Sequence, residues 1–254
     1  MERDRPLQAA RPRAAGSESK RDSSRARSEA KPSGVPPGQP SEVHSSRIAA
    51  ARACLLAGFA ELALTAQPGQ VEALLRLASL LERWGERINL SGHRDLESIV
   101  SRLILDAVAL AVHLPPAASL VDLGSGAGFP GLPLAVLRPG CALLLVEARE
   151  KRHHFQRAAV RELGLANVEA VCGRAEKIEI RPRAAVIAQA MAQPSKALRW
   201  MTPWVEIGGW LALPGGERAP EIAAHPSLVP ERIVAYTVPG GGPKRTLWLG
   251  RRLL

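Results

Sequence analysis

The 254-residue sequence is poor in the side chains that announce several kinds of protein. Its three cysteines, Cys54, Cys141 and Cys172, lie far apart with no C-x-x-C pair and no histidine companions. That spacing supports neither a zinc site nor a disulfide framework, and buried thiols in a reducing compartment are expected. Aromatic residues make up 4% of the chain, with one tyrosine and three phenylalanines. This is a thin supply for a surface that stacks single-stranded bases. The five tryptophans, Trp84, Trp200, Trp204, Trp210 and Trp248, fall in periodic segments and read as packing residues. No apolar run approaches the roughly 18 residues of a membrane span, and the basic first 20 residues contain no apolar stretch of signal-peptide type. A cytoplasmic protein without a membrane partner is expected.

Charge of one sign is not scarce. The 34 Lys and Arg residues outnumber 24 Asp and Glu, a net charge of +10. Such a balance favours polyanionic partners such as RNA, although basic proteins of high-GC genomes carry similar excesses without that role. Residues 1–47 account for +4 and the remainder for +6, so the bias is not confined to a tail. Residues 1–46 are Arg, Ser, Pro, Ala and Gly with scattered aliphatics, too few to offset the entropy of ordering. They are predicted to form a disordered basic tail.

From Ile48 to His113 apolar residues recur at three- and four-residue spacing, with breaks at Thr65–Gly69 and Ser91–Asp95. This predicts a helical cap over residues 47–115. After Pro115-Pro116 short apolar runs alternate with helical stretches. SLVDL, ALLLVE, VEAVC, AAVIA and WLALP read as strands, with helices from about Pro130, from Arg149 to Leu163 and from Ser195 to Val205. IVAYTV and TLWLG, separated by PGGGPKR, read as an antiparallel hairpin at the sheet edge. Residues 116–254 are therefore an α/β domain, a mostly parallel seven-stranded sheet with helices on both faces.

The chemistry centres on VDLGSGAGFPG, residues 121–131. It contains a literal G-x-G-x-x-G at Gly126, Gly128 and Gly131, which raises the question of a dinucleotide loop. Such a loop wants its first glycine directly after the strand, and here that residue is Gly124. From Gly124 the spacing is G-x-G-x-G, and Pro130 would deny an N–H to a pyrophosphate. Asp122, at the strand end, would repel a pyrophosphate but suit the ammonium or water shell of a methionine moiety. The V-D-x-G-x-G-x-G string resembles S-adenosylmethionine-dependent methyltransferases with a Rossmann-like sheet. Glu147, ending the next strand, suits ribose hydroxyls for either cofactor, and Ala175-Glu176 follow the third strand where an adenine edge would be read. The bland alternatives are a glycine turn without ligand and, for Glu176, a solvated acid.

VDLGSGAGFPGLPLAVLRP, VEAREKRHHF, WGERINLSGHRD and SRLILDAVAL together resemble the 16S ribosomal RNA methyltransferase G family, also called glucose-inhibited division protein B, over residues 70–254. The resemblance implies a Rossmann-like class I fold and methyl transfer from S-adenosyl-L-methionine to N7 of a guanine in 16S rRNA or the small ribosomal subunit, by a protein expected to be a monomer. By position it implies that Gly124, Phe129, Ala175 and Glu176 line the cofactor, joined by Asp122, Gly126, Gly128 and Glu147 from the loop's own reading and by Gln189, which stands where the family has an arginine close to cofactor and substrate. Asn89, Arg94, Arg102, Asp106 and Arg245 take motif positions for the substrate. Guanine N7 has an exposed lone pair and no proton to lose, so alignment for in-line displacement is what is needed. No residue is nominated as catalytic base.

The chain departs from the family pattern at three places. Leu103 stands where the histidine of Arg-His is usual, Gln189 where the arginine of Ser-Arg-Ala is usual, and Pro214 where the lysine of Lys-Gly is usual. All three are expected near the RNA-facing mouth. Two readings follow: an rRNA methyltransferase whose RNA contacts come from Lys244, Arg245, Arg251 and Arg252, or a diverged relative that binds cofactor or RNA without that activity. His153 and His154 are adjacent and point to different faces of their helix, which excludes a two-histidine metal site there and makes them surface residues. The run REKRHHFQR reads as a solvated helix face or a phosphate contact.

Overall fold

Apolar spacing before Pro115 produces helices, and apolar alternation after it produces strands. The computed structural model describes residues 42–222 and 225–254. Helix α1 spans Glu42–Glu61 and α2 Gln70–Gly85. Helix α3 (Leu96–Ile99), a π-helical turn (Val100–Ile104) and α4 (Leu105–His113) run on in series. Residues 42–46, expected in the tail, are thus helical, and the rest of the tail lies outside the described residues. Asp95 starts α3 by accepting the Ser98 N–H at 2.8 Å, which satisfies one of the free donors of a helix start. Wide apolar faces of α1, α2 and α4 meet in a core that includes Leu55, Phe59, Leu74, Leu81, Leu105 and Val108.

The seven strands are β1 (Ser119–Leu123), β2 (Ala142–Glu147), β3 (Val168–Cys172), β4 (Arg183–Ile187), β5 (Val205–Gly215), β6 (Leu228–Thr237) and β7 (Lys244–Arg252). Their order is β3-β2-β1-β4-β5-β7-β6, parallel from β1 to β5 and antiparallel at β7. The final hairpin exists as the sequence predicts, but of its two strands only β6 is an edge. β7 pairs with β5 on one side and β6 on the other.

Helices α5 (Gly131–Leu137) and α6 (Glu150–Leu163) pack with the N-terminal helices on one face. Helix α7 (Pro194–Met201) and Trp204 cover the other. Strand alternation sorts β1 between the two layers, with Leu120 in the first core and Val121 and Leu123 in the second.

The helical layer is tied to the sheet by Arg138, just past α5. Its guanidinium donates to the carbonyl oxygens of Ala111 (2.7 Å), Leu114 (2.8 Å) and Pro115 (2.9 Å). These include carbonyls that the end of α4 leaves without helical partners. Gln70 and Asn167 do the same for the end of α5, donating to Val136 and Leu137 and to Ala135 and Cys141. Four of the tryptophans pack as the periodicity predicts: Trp204, Trp210 and Trp248 are buried, and Trp84 meets Phe155 edge to face. Of the thiols, Cys141 is buried, Cys54 half-buried and Cys172 exposed, so the expectation of uniformly buried cysteines fails at a strand end.

Candidate functional site

At the carboxyl end of β1 the chain turns through Gly124, Gly126 and Gly128, with φ of 68°, 60° and 83°. These are left-handed values that glycine adopts without steric cost. Gly131 is different: it is the first residue of α5, where a Cβ would come within 2.3 Å of Leu145 and 2.8 Å of Asp122. The turn glycines are therefore the G-x-G-x-G set, and the third glycine of the literal G-x-G-x-x-G serves close helix packing.

The turn is pinned from several sides. Gly124 and Ser125 donate to the Val146 carbonyl at 2.9 and 3.1 Å, and Gln156 of α6 donates to Ser125 Oγ and the Gly126 carbonyl at 2.8 and 2.7 Å. Glu147, buried at the end of β2, accepts the Gly126 N–H through Oε2 and the Arg149 N–H through Oε1, both at 2.8 Å.

These elements border a hollow of about 490 Å³ lined by Gly124, Glu147, Ala175 and Glu176 of the expected cofactor residues. Trp204 Nε1 donates to the Ala175 carbonyl at 3.2 Å and so holds that wall. Sequence reasoning missed Arg152, Met191 and Trp200, which line the same hollow. Arg152 was grouped with a solvated face, yet its Nε is buried without a partner among the described residues. The signal was its position in the first turns of the helix after Glu147. Trp200 is the tryptophan that belongs to neither core cluster, and Lys196 Nζ lies 4.8 Å from its ring centroid.

Asp122 does not face this hollow. Period-two alternation turns it to the α5 side, where it is 1% exposed and accepts the Gly131 N–H at 3.0 Å, with Oδ1 left unpartnered. Burial pushes its pKa up to about 7, the nearby Glu147 carboxylate adds to the rise, and the Gly131 N–H opposes it. The expected contact with a methionine moiety is replaced by a helix-start contact behind the loop. Gly126, Gly128 and Phe129 likewise shape the loop from outside the hollow's lining, Phe129 by packing on the core.

A second hollow, about 390 Å³, opens beyond β4 and β5 and is bordered by Gln189, Pro214 and Arg245. The two hollows share Ala190 and Met191. Ala190 sits at φ 52°, an uncommon conformation for a residue with a Cβ. Gln189 thus belongs to the second hollow, since it precedes the dividing wall. Arg245 donates to Asp106 Oδ2 from Nε at 3.2 Å and approaches the same oxygen through Nη2 at 3.1 Å, while the Tyr236 hydroxyl donates to Oδ1 at 3.4 Å. Burial raises the Asp106 pKa, against the lowering pull of Arg245. Buried beneath Arg245, Asp106 is placed to hold that side chain and not to touch a substrate itself.

The remaining expected substrate residues stand apart. Asn89 and Arg94, in the loop between α2 and α3, and Arg102, in the π-helical turn, are exposed and line neither hollow. Leu103, in the π-helical turn, packs against the core, so only two of the three departures meet at one mouth. Arg251 pairs with Glu231 and donates to Gly208, and Arg252 donates to Thr202 and Val205, which commits these expected RNA contacts to the fold. Lys244 is exposed, 3.8 Å from Glu217.

A sheet of this order, with a glycine turn after β1 and an acid ending β2, defines a Rossmann-like class I methyltransferase fold. Among solved structures, geranyl diphosphate methyltransferase in complex with GPP and sinefungin superposes with a TM-score of 0.51 at 16% identity, covering 74% of this chain and 100% of that one. The family described as rRNA small subunit methyltransferase G matches residues 70–247. Ribosomal RNA small subunit methyltransferase G of Chromohalobacter salexigens is 39% identical over 209 residues, 80% of this chain and 98% of that protein. Those of Neisseria meningitidis serogroup A and Moorella thermoacetica are 34% and 32% identical, over 73% and 77% of this chain and 91% and 82% of theirs. The chain belongs to the rRNA small subunit methyltransferase G family.

Proposed function

We propose that this methyltransferase modifies N7 of a guanine in the 16S rRNA of the small ribosomal subunit, using S-adenosyl-L-methionine. The observation that carries the N7 chemistry is the composition of the wall between the two hollows. The side chains of Ala190 and Met191, which line both hollows, carry no group that titrates. A nucleophile that had to be deprotonated would need a base there, whereas guanine N7 offers a lone pair directly.

The first hollow suits the cofactor. Gly124, Glu147, Ala175 and Glu176 line it, and Glu147 would hold the ribose hydroxyls and Ala175 and Glu176 the adenine when the cofactor is bound. The orphaned Arg152 Nε is a donor that suits a ligand bringing an acceptor. When bound, S-adenosyl-L-methionine supplies an electrophilic methyl group on sulfur. The protein's part is to bring N7 against that group, in line with its sulfur, where the two hollows meet beside Ala190 and Met191, and to keep water out, so that the N–C bond would form as the C–S electron pair leaves with S-adenosyl-L-homocysteine.

The second hollow receives the base, with Arg245 fixed on Asp106 at its edge. Lys196 and Arg199 on α7 pair with no carboxylate among the described residues and present charge to the flanking phosphates. One chain lines both hollows, so a monomer suffices, and the substrate sets its place in the cytoplasm. The alternative of a relative without activity has no separate observation in its favour.

The test uses rRNA from a strain lacking the gene. N7-methylguanine is expected to be missing from one 16S position and to return when small subunits or naked rRNA are treated with purified protein and S-adenosyl-L-methionine. An unchanged methylation pattern in the deletion strain refutes the reading.

A further inference from the structure

Trp200 is the tryptophan that both core clusters leave out, half-buried on α7. It lines the first hollow together with Ala175 and Glu176, and no other aromatic side chain lines that hollow among the described residues. It also lines a third hollow, about 670 Å³, which it shares with Met191, Gln193, Lys196 and Arg199. Lys196 borders the third hollow and not the first, and its Nζ stands over the indole, 4.8 Å from the ring centroid. The ring is thus a partition, with an ammonium on the side of the third hollow and its other face left to the first. Trp204, four residues and about one helical turn further on, donates from Nε1 to the Ala175 carbonyl at 3.2 Å. That bond ties the end of α7 to the loop after β3, so Trp200 stands at the same end of the first hollow as Ala175 and Glu176.

We propose that Trp200 is a further cofactor-binding residue, and that the adenine of S-adenosyl-L-methionine stacks on its hollow-facing indole face. This rests on the assignment of the first hollow to the cofactor and not on which base is methylated. The adenine is the one flat π-system of the cofactor, and an indole offers it a broad, rigid stacking surface. The sulfonium also suits an aromatic face, but the Lys196 ammonium already takes the opposite side of this ring and disfavours a second cation. The same ammonium holds the ring in place before a ligand arrives, so little ordering is left for binding to supply.

The experiment titrates the full chain with S-adenosyl-L-homocysteine and with 5′-methylthioadenosine, which keeps the adenine and ribose but lacks the amino-acid end. Calorimetry gives the affinity, and tryptophan fluorescence reports stacking directly. The variants are Trp200→Phe, a smaller stacking surface, and Trp200→Leu, which is apolar and cannot stack. Each is titrated far below its own urea unfolding midpoint, so that altered stability does not enter the affinity. Both ligands are expected to quench the wild-type emission. Trp200→Phe should lose about half of that quench or more while its affinities stay within about threefold, and Trp200→Leu should bind both ligands roughly tenfold more weakly. A full quench in Trp200→Phe, or wild-type affinities in Trp200→Leu, overturns the proposal. Weakening of S-adenosyl-L-homocysteine alone overturns it too, because it sets Trp200 against the amino-acid end. A wild-type protein that binds neither ligand defeats the cofactor assignment of the first hollow, and this contact with it.

Discussion

Glu147 Oε2 accepts the Gly126 N–H at 2.8 Å, so the acid that ends β2 also closes the glycine turn that follows β1. Its other oxygen takes the Arg149 N–H. Glu147→Gln would set an NH₂ group against one of these donors. The expected result is a loss of about 1–3 kcal/mol in stability, the cost of a buried unsatisfied donor, with cofactor affinity falling at least about tenfold. Urea unfolding and calorimetric titration with S-adenosyl-L-methionine check the two effects separately.

Asp122 predicts a pH dependence. Its folded pKa is raised from 3.8 to about 7, so between those values the unfolded chain releases a proton that the folded chain keeps. The group's contribution is fully present below about pH 4 and declines as pH rises to about 7, by at most about 1.4 kcal/mol per unit. Asp122→Asn removes the titration. The stability of the wild type relative to this variant should fall from pH 5 to 7 and then level off; a difference that does not vary with pH contradicts the assignment.

Arg138→Met keeps most of the apolar stem and deletes three bonds to the α4 end and the Pro115 carbonyl. The expected cost is about 2–4 kcal/mol, at roughly 1 kcal/mol per bond. Cofactor affinity at low temperature should be unchanged, since Arg138 lines neither hollow. Chemical denaturation and titration together distinguish this from a general loss of fold.

The strands were legible because parallel strands buried on both faces read as short apolar runs, and SLVDL, ALLLVE and AAVIA are such runs. The glycine turn was legible because its register could be counted from the end of β1. Asp122 was misread, since counting places a residue next to a loop without saying which face of the strand it takes. The alternation of Leu120 and Val121 between the two cores held that information. Asp106 and Arg245 could not be grouped from sequence, because 139 residues separate them and only the sheet order brings them together. The π-helical turn at Leu103 left no trace in the apolar spacing, which continues through it.

The insertion of β7 between β5 and β6 sets an order of assembly. While β7 is absent, β6 has no neighbour in the sheet, so β6 joins the sheet only together with β7 or after it. Arg245 lies on β7 and meets Asp106 only once that strand is in place. Until β7 is in place the chain carries the glycine turn but lacks the side of the second hollow that Arg245 lines.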